Sequence, residues 1–237
     1  VVFQFVISIA MIFSIFVIND QFRFALNKDI GINYSNILSV NLYDKNDKEN
    51  VRYLKSEFLK QPNVLDVSFV CDVNGVAGSQ GPISVDDTAE TRLTVRYGYV
   101  DYNFFNMMEI PIINGRNFSK DYSLDEKESV IINRAAVEVL GWENPIGMAF
   151  MPFDDTVTKR KVIGVIEDYH YYSIHSKIEP AIYLINPERS YNLIVKIHPL
   201  NQSQTINDLE SIWTSQFPGV PFNYQIAKDR MRDQYRG

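Results

Sequence analysis

The first eighteen residues constrain the fold of this chain more than any other stretch. Residues 1–18 carry no charge, and their only polar side chains are Gln4, Ser8 and Ser14. As a helix they would span about 27 Å, close to the hydrocarbon thickness of a bilayer. A helix buried in a soluble domain would show a polar stripe, and a signal peptide would show a basic start. The sequence therefore predicts a transmembrane helix here, with a buried or signal-type helix as the alternative.

The two ends of the sequence indicate a piece of a longer membrane protein. The chain starts without Met and stops at MRDQYRG, which shows no termination pattern. Asn19 and Asp20 mark the point where the predicted helix leaves the apolar region. Because no Pro or Gly interrupts the chain before Gly31, we expect a stiff helical extension to about residue 30.

Composition and motifs exclude several classes of function. The formal net charge is −6 and there is no Lys/Arg-rich run, so we expect no nucleic-acid partner. Cys71 is the single cysteine, which excludes an internal disulfide and any multi-cysteine zinc or iron–sulfur site. The Gly-rich stretch NGVAGSQGP (74–82) contains neither a P-loop nor a dinucleotide fingerprint. We therefore expect no nucleotide and no other cofactor.

Residue patterns after the first helix predict an α+β fold. Residues 36–43, 47–61 and 64–73 read as strand, helix and strand, and residues 191–198, 204–217 and 221–227 repeat that order. Two such units can pair their strands into one sheet with both helices on one face. About 110 residues of short strands and short helices separate them, which predicts an inserted mixed subdomain.

Four stretches in this order resemble the extracytoplasmic core domain of MacB-like and FtsX-like ABC transporter permeases. They are VVFQFVISIAMIF, YGYVDYNFFNMMEIPIINGRNF, VIINRAAVEVLGWENPIG and VIGVIEDYHYYSIHSKIEPAIY, and the first is similar to the first membrane helix of such permeases in Bacteroidetes-type bacteria. The resemblance covers essentially the whole chain.

The resemblance implies a domain organisation and a set of partners. It implies a transmembrane helix with its extension (1–30), a porter-like subdomain in two parts (31–78 and 189–237) and an inserted mixed subdomain (79–188). The domain would lie in the periplasm beside the inner membrane, within a permease homodimer or heterodimer. A separate or fused ABC-type ATPase would power it, and a periplasmic or outer-membrane protein could dock on it. The expected role is to transmit ATP-driven motion, without enzymatic activity in this chain.

The stretch VIGVIEDYHYYSIHSKIEP (162–180) holds the strongest candidates for chemistry. It contains His170 and His175, with Glu167 as a third potential metal ligand. A spacing of five residues matches neither the helical pair of HExxH nor an i, i+2 strand pair. We therefore predict the end of a core strand here and no metal site, with metal binding and acid–base catalysis as weaker alternatives.

Aromatic side chains in the predicted insertion allow two interpretations. Tyr99, Tyr102, Phe104 and Phe105 would form its core, or else an exposed patch for a partner or lipid. Arg116 and Phe118 lie in NGRNF, which predicts a turn first and a contact site second. The carboxylate-rich residues 121–128 predict a solvated loop.

Two further functions remain open from the sequence. A single-span sensor or ligand-binding module would also need a membrane helix followed by a folded domain. A membrane-anchored metal-dependent hydrolase would use the cluster at residues 167–179. The transported substrate cannot be read from these residues.

Overall fold

The computed structural model describes residues 2–27, 30–42, 48–76, 80–85, 92–152, 159–171, 176–186 and 189–234, without the side chains of 19–27, 48–50, 92 and 231–234. The chain divides into two compact units, Val1–Ile30 and Gly31–Gly237. The predicted subdomain boundaries near 78 and 188 fall at residues outside this description.

The first unit is one helix, α1, which spans Val2–Asn27. Its side chains from Val2 to Ile18 are exposed. The hydroxyls of Ser8 and Ser14 donate to carbonyls one turn back, at 3.0 Å and 2.8 Å. Among the described residues, no helix combines the length and the apolar character needed to cross a membrane. The helical conformation of the predicted span is confirmed for Val2–Asn27, and its crossing of a membrane stays a prediction. Residues 1, 28 and 29 and the side chains of 19–27 lie outside the described residues.

The second unit contains all the strands and the other helices of the described residues. In chain order they are β1 (Ile37–Asn41), α2 (Lys48–Leu59), β2 (Val64–Val70), β3 (Gln80–Ser84), β4 (Arg92–Tyr99), α3 (Phe104–Met107), β5 (Ile112–Gly115), α4 (Asp125–Glu128), β6 (Ser129–Asn133), α5 (Arg134–Leu140), β7 (Ala149–Pro152), β8 (Arg160–Ile166), β9 (Ala181–Leu184), β10 (Asn192–Ile197), α6 (Gln202–Gln216), β11 (Tyr224–Ile226) and α7 (Ala227–Gln234).

The first sheet interleaves the two predicted strand–helix–strand units. Its order is β11-β1-β10-β2, and every neighbouring pair is antiparallel. Each strand–helix–strand segment therefore has one strand of the other segment between its own two strands. This is the split β-α-β arrangement of ferredoxin-like folds. Leu54 and Phe58 of α2 share one apolar core with Leu209 and Trp213 of α6. The prediction of one sheet with both helices on one face is confirmed.

The second sheet is built from the inserted residues and closes on itself. Its order is β5-β8-β6-β9-β4-β3-β7, and β7 also pairs with β8. Strands β7 and β8 form a hairpin that includes the pair Ala149–Lys161. Strand β3 was not predicted, because Gly81 and Pro82 read as loop residues. The side chain of Asn133 caps α5, and Gly141 ends this helix in a left-handed conformation.

The two sheets meet where β2 and β4 end. A β-bridge connects Val70 at the end of β2 to Val100 just after β4. Beside it, the amide of Asp101 donates to the carbonyl of Phe69 at 3.0 Å. Asp101 precedes α3 without capping it, since Asn103 holds the capping position and no side chain bonds there. The carboxylate of Asp101 instead pairs with Lys55 of α2 at 2.6 Å, so it links the inserted residues to the first sheet's helical layer.

Candidate functional site

The loop that follows β2, residues 71–76, lies where the two sheets meet, and we call it the junction loop. The amide of Cys71 donates to the carbonyl of Tyr99 in β4 at 2.9 Å. On its other side, the carbonyl of Cys71 accepts from the side chain of Asn192 in β10 at 3.0 Å. Burial raises the pKa of the Cys71 thiol to about 12. This cysteine is therefore a protonated core side chain, and the loop is fixed to both sheets.

Two buried tyrosine hydroxyls connect the second sheet to the junction loop. Tyr183 of β9 donates to the hydroxyl of Tyr169 at 3.0 Å, and Tyr169 donates to the carbonyl of Asn74 at 2.7 Å. The Asn74 side chain donates to the carbonyl of Tyr171 at 2.8 Å and accepts from the amide of Val76 at 3.0 Å. Burial raises the pKa of both Tyr169 and Tyr183, so both hydroxyls keep their protons and act as donors.

Gly75 allows the aromatic core to reach the junction loop. Its φ is +76°, a value that favours glycine, and an added Cβ would lie 2.4 Å from the ring tip of Phe104. Phe104 lies edge-on to Phe105 with ring centres 5.4 Å apart, and Phe105 lies edge-on to Tyr183 at 5.2 Å. The rings therefore pack in one continuous set from the junction loop to β9.

The residues that lead into β1, residues 31–36, contact the same region, and we call them the approach segment. Gly31 has a φ of +78°, and an added Cβ would lie 2.9 Å from the carbonyl oxygen of Asp168 and 3.0 Å from the Cβ of Tyr169. The amide of Asn33 donates to the carbonyl of Met108 at 2.9 Å, just after α3. The start of the second unit is thus held against two separate parts of the inserted residues.

Glu109 ties the approach segment to the first sheet as well. Its carboxylate accepts from the side chain of Asn33 at 2.8 Å and from Lys196 of β10 at 2.9 Å. These hydrogen bonds, that from Asn33 foremost, lower the pKa of Glu109. Glu109 adopts a φ of +59°, which is uncommon for a residue with a side chain. A strained residue therefore sits where the approach segment, α3 and β10 meet.

Helix α7 reaches the junction loop from the C-terminal side. The guanidinium of Arg230 contacts the carboxylate of Asp72 through both nitrogens, at 2.7 Å and 2.9 Å. The sequence predicted neither α7 nor this contact. Only Ala227 of the described α7 side chains is buried, so no apolar periodicity signals the helix.

Most of the chain matches a single protein-family model. It is the model of the MacB-like periplasmic core domain, and the match covers residues 4–211. The chain belongs to this family. The match runs from α1 into α6, so it includes the junction loop and the whole second sheet of this MacB-like core domain. A comparison with curated proteins found no match.

Solved structures of similar fold include three from transporters and permeases. The periplasmic region of MacB from Actinobacillus actinomycetemcomitans has a TM-score of 0.62 and 16% identity, over 90% of this chain and 98% of that one. The extracellular domain of the ABC-type transporter YknZ from Gram-positive bacteria has a TM-score of 0.58 and 14% identity, over 80% and 98%. A domain of a putative permease from Porphyromonas gingivalis has 0.53 and 13%, over 81% and 88%. The predicted α+β fold is confirmed.

The aromatic residues weighed as partner contacts are divided by the structure of the MacB-like domain. Phe104, Phe105 and Phe118 are at most 4% exposed. The interpretation as core is confirmed for Phe104 and Phe105, so an exposed contact patch made of them is contradicted. Phe118, which the sequence predicted in a turn with a contact site as the alternative, is buried as well. Tyr102 and Arg116 are partly exposed, so their role as partner contacts stays a prediction.

Arg116 has a structural partner that the sequence did not reveal. It binds both carboxylate oxygens of Asp125, at 2.6 Å and 2.7 Å. Asp125 also accepts from the amide of Ser119 at 3.0 Å and the hydroxyl of Ser129 at 2.9 Å. Burial by itself would raise the pKa of Asp125, but these hydrogen bonds and the Arg116 charge lower it overall. The prediction that residues 121–128 are simply a solvated loop is wrong at Asp125, which is 1% exposed.

The suspected metal cluster is only partly described. Strand β8 ends at Ile166, so the predicted end of a core strand is confirmed. Glu167 accepts from Arg134 at 2.5 Å, and the next carboxylate, Asp168, accepts from the amide of Ala135 at the start of α5 at 3.1 Å. His170 is partly exposed, and His175 lies outside the described residues. Within the described part of the chain, no group of three potential ligands could hold a metal ion.

Sequence reasoning singled out the wrong side chains in this stretch. The histidines are potential metal ligands by residue type, whereas Tyr169 and Tyr171 are the residues whose side chains are buried in the core. Their alternation directly after an apolar strand was the available signal, since residues two apart on an extended chain face the same side. Their partner Asn74 is 95 residues away from Tyr169, so only the fold could reveal the contact.

Proposed function

We propose that this MacB-like core domain is the extracytoplasmic part of an ABC transporter permease subunit. In this role it transmits ATP-driven motion to the outer side of the membrane, where a substrate is moved or released. The family supports this proposal, as does the likeness to the periplasmic region of MacB and the extracellular domain of YknZ. The chain itself would not be an enzyme, and an ABC-type ATPase, separate or fused, would supply the energy.

The observation that carries the proposal is the way the approach segment is fixed. Gly31 lies against Asp168 and Tyr169, while Asn33 bonds to the carbonyl of Met108 and to Glu109. Through Tyr169 and Asn74 these contacts continue into the junction loop, and through Glu109 and Lys196 into the first sheet. A displacement that arrives along the chain at Gly31 would therefore reach both sheets together.

Attachment to the inner membrane through α1 completes the proposal. The uncharged residues 2–18 form a helix, and both of its serine hydroxyls bond within the helix itself. Internal satisfaction of polar groups is what a hydrocarbon environment requires. The domain would then lie in the periplasm, in a permease homodimer or heterodimer, with a periplasmic or outer-membrane protein as a further partner.

The experiment uses the full-length permease together with its ATPase in lipid nanodiscs. Glu143→Cys provides one exposed labelling site in the inserted residues, because the native Cys71 is buried and protonated. A fluorophore at position 143 reports energy transfer to acceptor lipids with and without ATP. We expect a nucleotide-dependent change in transfer, absent when the ATPase is inactivated. Equal transfer in all nucleotide states would refute mechanical transmission.

Location is tested separately in cells. A membrane-impermeant maleimide should label Glu143→Cys without disruption of the inner membrane, whereas wild-type protein should remain unlabelled. Labelling of Glu143→Cys only after the inner membrane is lysed would contradict an extracytoplasmic domain.

A further inference from the structure

Two Asn-Gly pairs occur in the sequence, Asn74–Gly75 and Asn114–Gly115. Asparagine is a chemically labile residue, and it is most labile before glycine, which places no Cβ beside the backbone nitrogen that attacks the side-chain amide. The two glycines have similar backbone conformations, with φ of +76° and +74°. The two pairs therefore differ mainly in the surroundings of the asparagine.

The fold protects Asn74, which is 3% exposed. Its side-chain nitrogen donates to the carbonyl of Tyr171, and its side-chain oxygen accepts from the amide of Val76. Deamidation would have to release that nitrogen as ammonia. The junction loop would therefore have to open, and both hydrogen bonds would have to break, before Asn74 could react.

Asn114 lies in an open position on β5, the strand at one end of the order of the second sheet. Asn114 and Gly115 are both exposed, and within the described residues the Asn114 side chain has no hydrogen bond or ion pair. The amide of Arg116 donates to the carbonyl of Ile163 at 2.9 Å. Since bonded and non-bonded pairs alternate in an antiparallel ladder, Gly115 opposite Gly164 is a non-hydrogen-bonded pair. The nitrogen of Gly115 is therefore not bound to β8.

We propose that Asn114 is a site of spontaneous deamidation, with water as the only co-reactant. The nitrogen of Gly115 loses its proton and bonds to the side-chain amide carbon of Asn114. The bond from that carbon to the amide nitrogen breaks, ammonia leaves, and a succinimide ring remains. Water then adds to one of the two ring carbonyl carbons, the carbon–nitrogen bond breaks, and the nitrogen regains a proton. The product at position 114 is either aspartate or isoaspartate, and the proposal is independent of the proposed function.

The backbone at Gly115 requires glycine, so the reactive pair is a consequence of the fold. An added Cβ would lie 2.2 Å from the carbonyl oxygen of Ile163, in addition to the unfavourable φ. The isoaspartate product inserts one methylene into the main chain just before Gly115. The amide of Arg116 could then no longer face Ile163 in the present register, so isoaspartate should weaken the pairing of β5 with β8. Aspartate adds a negative charge and keeps the register.

Peptide mass analysis tests the proposal on the full chain in detergent, stored for increasing times at mildly alkaline pH. Each converted asparagine gains about one mass unit, because a hydroxyl replaces the amino group. In the folded chain we expect Asn114 to convert at least about tenfold faster than Asn74, whose two hydrogen bonds must break first. In concentrated urea both should convert at similar rates, since both precede glycine. Asn114→Gln should abolish conversion at position 114 and leave Asn74 unchanged.

Two outcomes would overturn the proposal. Conversion of Asn114 no faster than that of Asn74 in the folded chain would show that exposure does not select the reactive pair. Conversion of Asn114 far slower in the folded chain than in urea would show that the pairing of β5 protects it. The effect of isoaspartate on β5 has its own measurement, which is hydrogen exchange of the separated products. Amide exchange at Arg116 should be faster in the isoaspartate form than in the aspartate form, and equal rates would refute the loss of pairing.

Discussion

Replacement of Gly31 by Ala tests whether the start of the second unit is fixed by close contact. An alanine at this position meets two separate costs. The first is backbone strain, since a residue with a Cβ at a φ of +78° loses about 1–2 kcal/mol. The second is a collision, because the new Cβ would lie 2.9 Å from a carbonyl oxygen and 3.0 Å from the Cβ of Tyr169.

The chain offers a matched control at Gly141. Its φ is +67°, but an added Cβ would meet nothing within 4 Å. Gly141→Ala therefore measures backbone strain alone, and we expect it to lower the free energy of unfolding by about 1–2 kcal/mol. Gly31→Ala adds the displacement of Asp168 and Tyr169, for which overpacking costs about 1–3 kcal/mol. The total for Gly31→Ala is then about 2–5 kcal/mol.

Thermal and urea unfolding of the full chain in detergent measure both variants. For a domain of this size each kcal/mol lowers Tm by about 2–4 °C, so Gly31→Ala should unfold well below Gly141→Ala. Gly219→Ala, with a φ of +81° and open space around it, serves as a second control. If Gly31→Ala were no more destabilising than the two controls, the contact of the approach segment with Tyr169 would carry no energy. Transmission of motion through the approach segment would then have no energetic basis.

Three further predictions follow from individual contacts. Tyr169→Phe should destabilise by about 1–3 kcal/mol, since it leaves a buried carbonyl and the Tyr183 hydroxyl unpaired. Tyr183→Phe should lower the free energy of unfolding in urea by about half as much. Equal losses would contradict the assignment of Tyr183 as donor to Tyr169 and of Tyr169 as donor to Asn74. Asp125→Asn should lower the free energy of unfolding at neutral pH, and its further loss below about pH 4 should be smaller than in the wild type. The pKa of Asp125 is lowered in the folded state, so its contribution to stability is present above the unfolded pKa and disappears as pH falls through the folded one. If the pH dependence of unfolding were the same in the variant and the wild type, the ion pair of Asp125 with Arg116 would not contribute to acid sensitivity. Zinc should leave Tm unchanged, and a rise of several degrees that His170→Ala with His175→Ala abolishes would restore the metal hypothesis.

Local patterns predicted the elements that carry their own periodicity. Leu54 and Phe58 lie one turn apart in α2, and Leu209 and Trp213 do the same in α6, so both helices and their sheet could be predicted. Strand β3 escaped because Gly81 and Pro82 suggest a turn, although they pair with Val95 and Thr94 in the ladder. Helix α7 was not predicted, because among its described side chains only Ala227 is both apolar and buried.

The candidate site was harder to predict for a physical reason. Its contacts are hydrogen bonds and close approaches between residues distant in sequence, such as Asn74 with Tyr169 and Tyr171. Asparagine and tyrosine show no preferred spacing for such contacts, whereas metal ligands and nucleophiles do. Sequence patterns therefore indicate His170 and His175, which are potential metal ligands, and not the tyrosines beside them.

The strengths of these contacts divide the second unit into a firm centre and weaker attachments. The hydrogen bonds among Tyr183, Tyr169 and Asn74 lie in the buried interior, where an unpaired group costs the most. The ion pairs of Glu109 with Lys196 and of Asp72 with Arg230 are partly exposed, where water and salt weaken them. Substitutions at the tyrosines should therefore lower Tm, whereas substitutions at Glu109 or Arg230 should leave Tm nearly unchanged and alter local exchange. Such a division suits a relay, because the two sheets can move as one body while their attachments adjust.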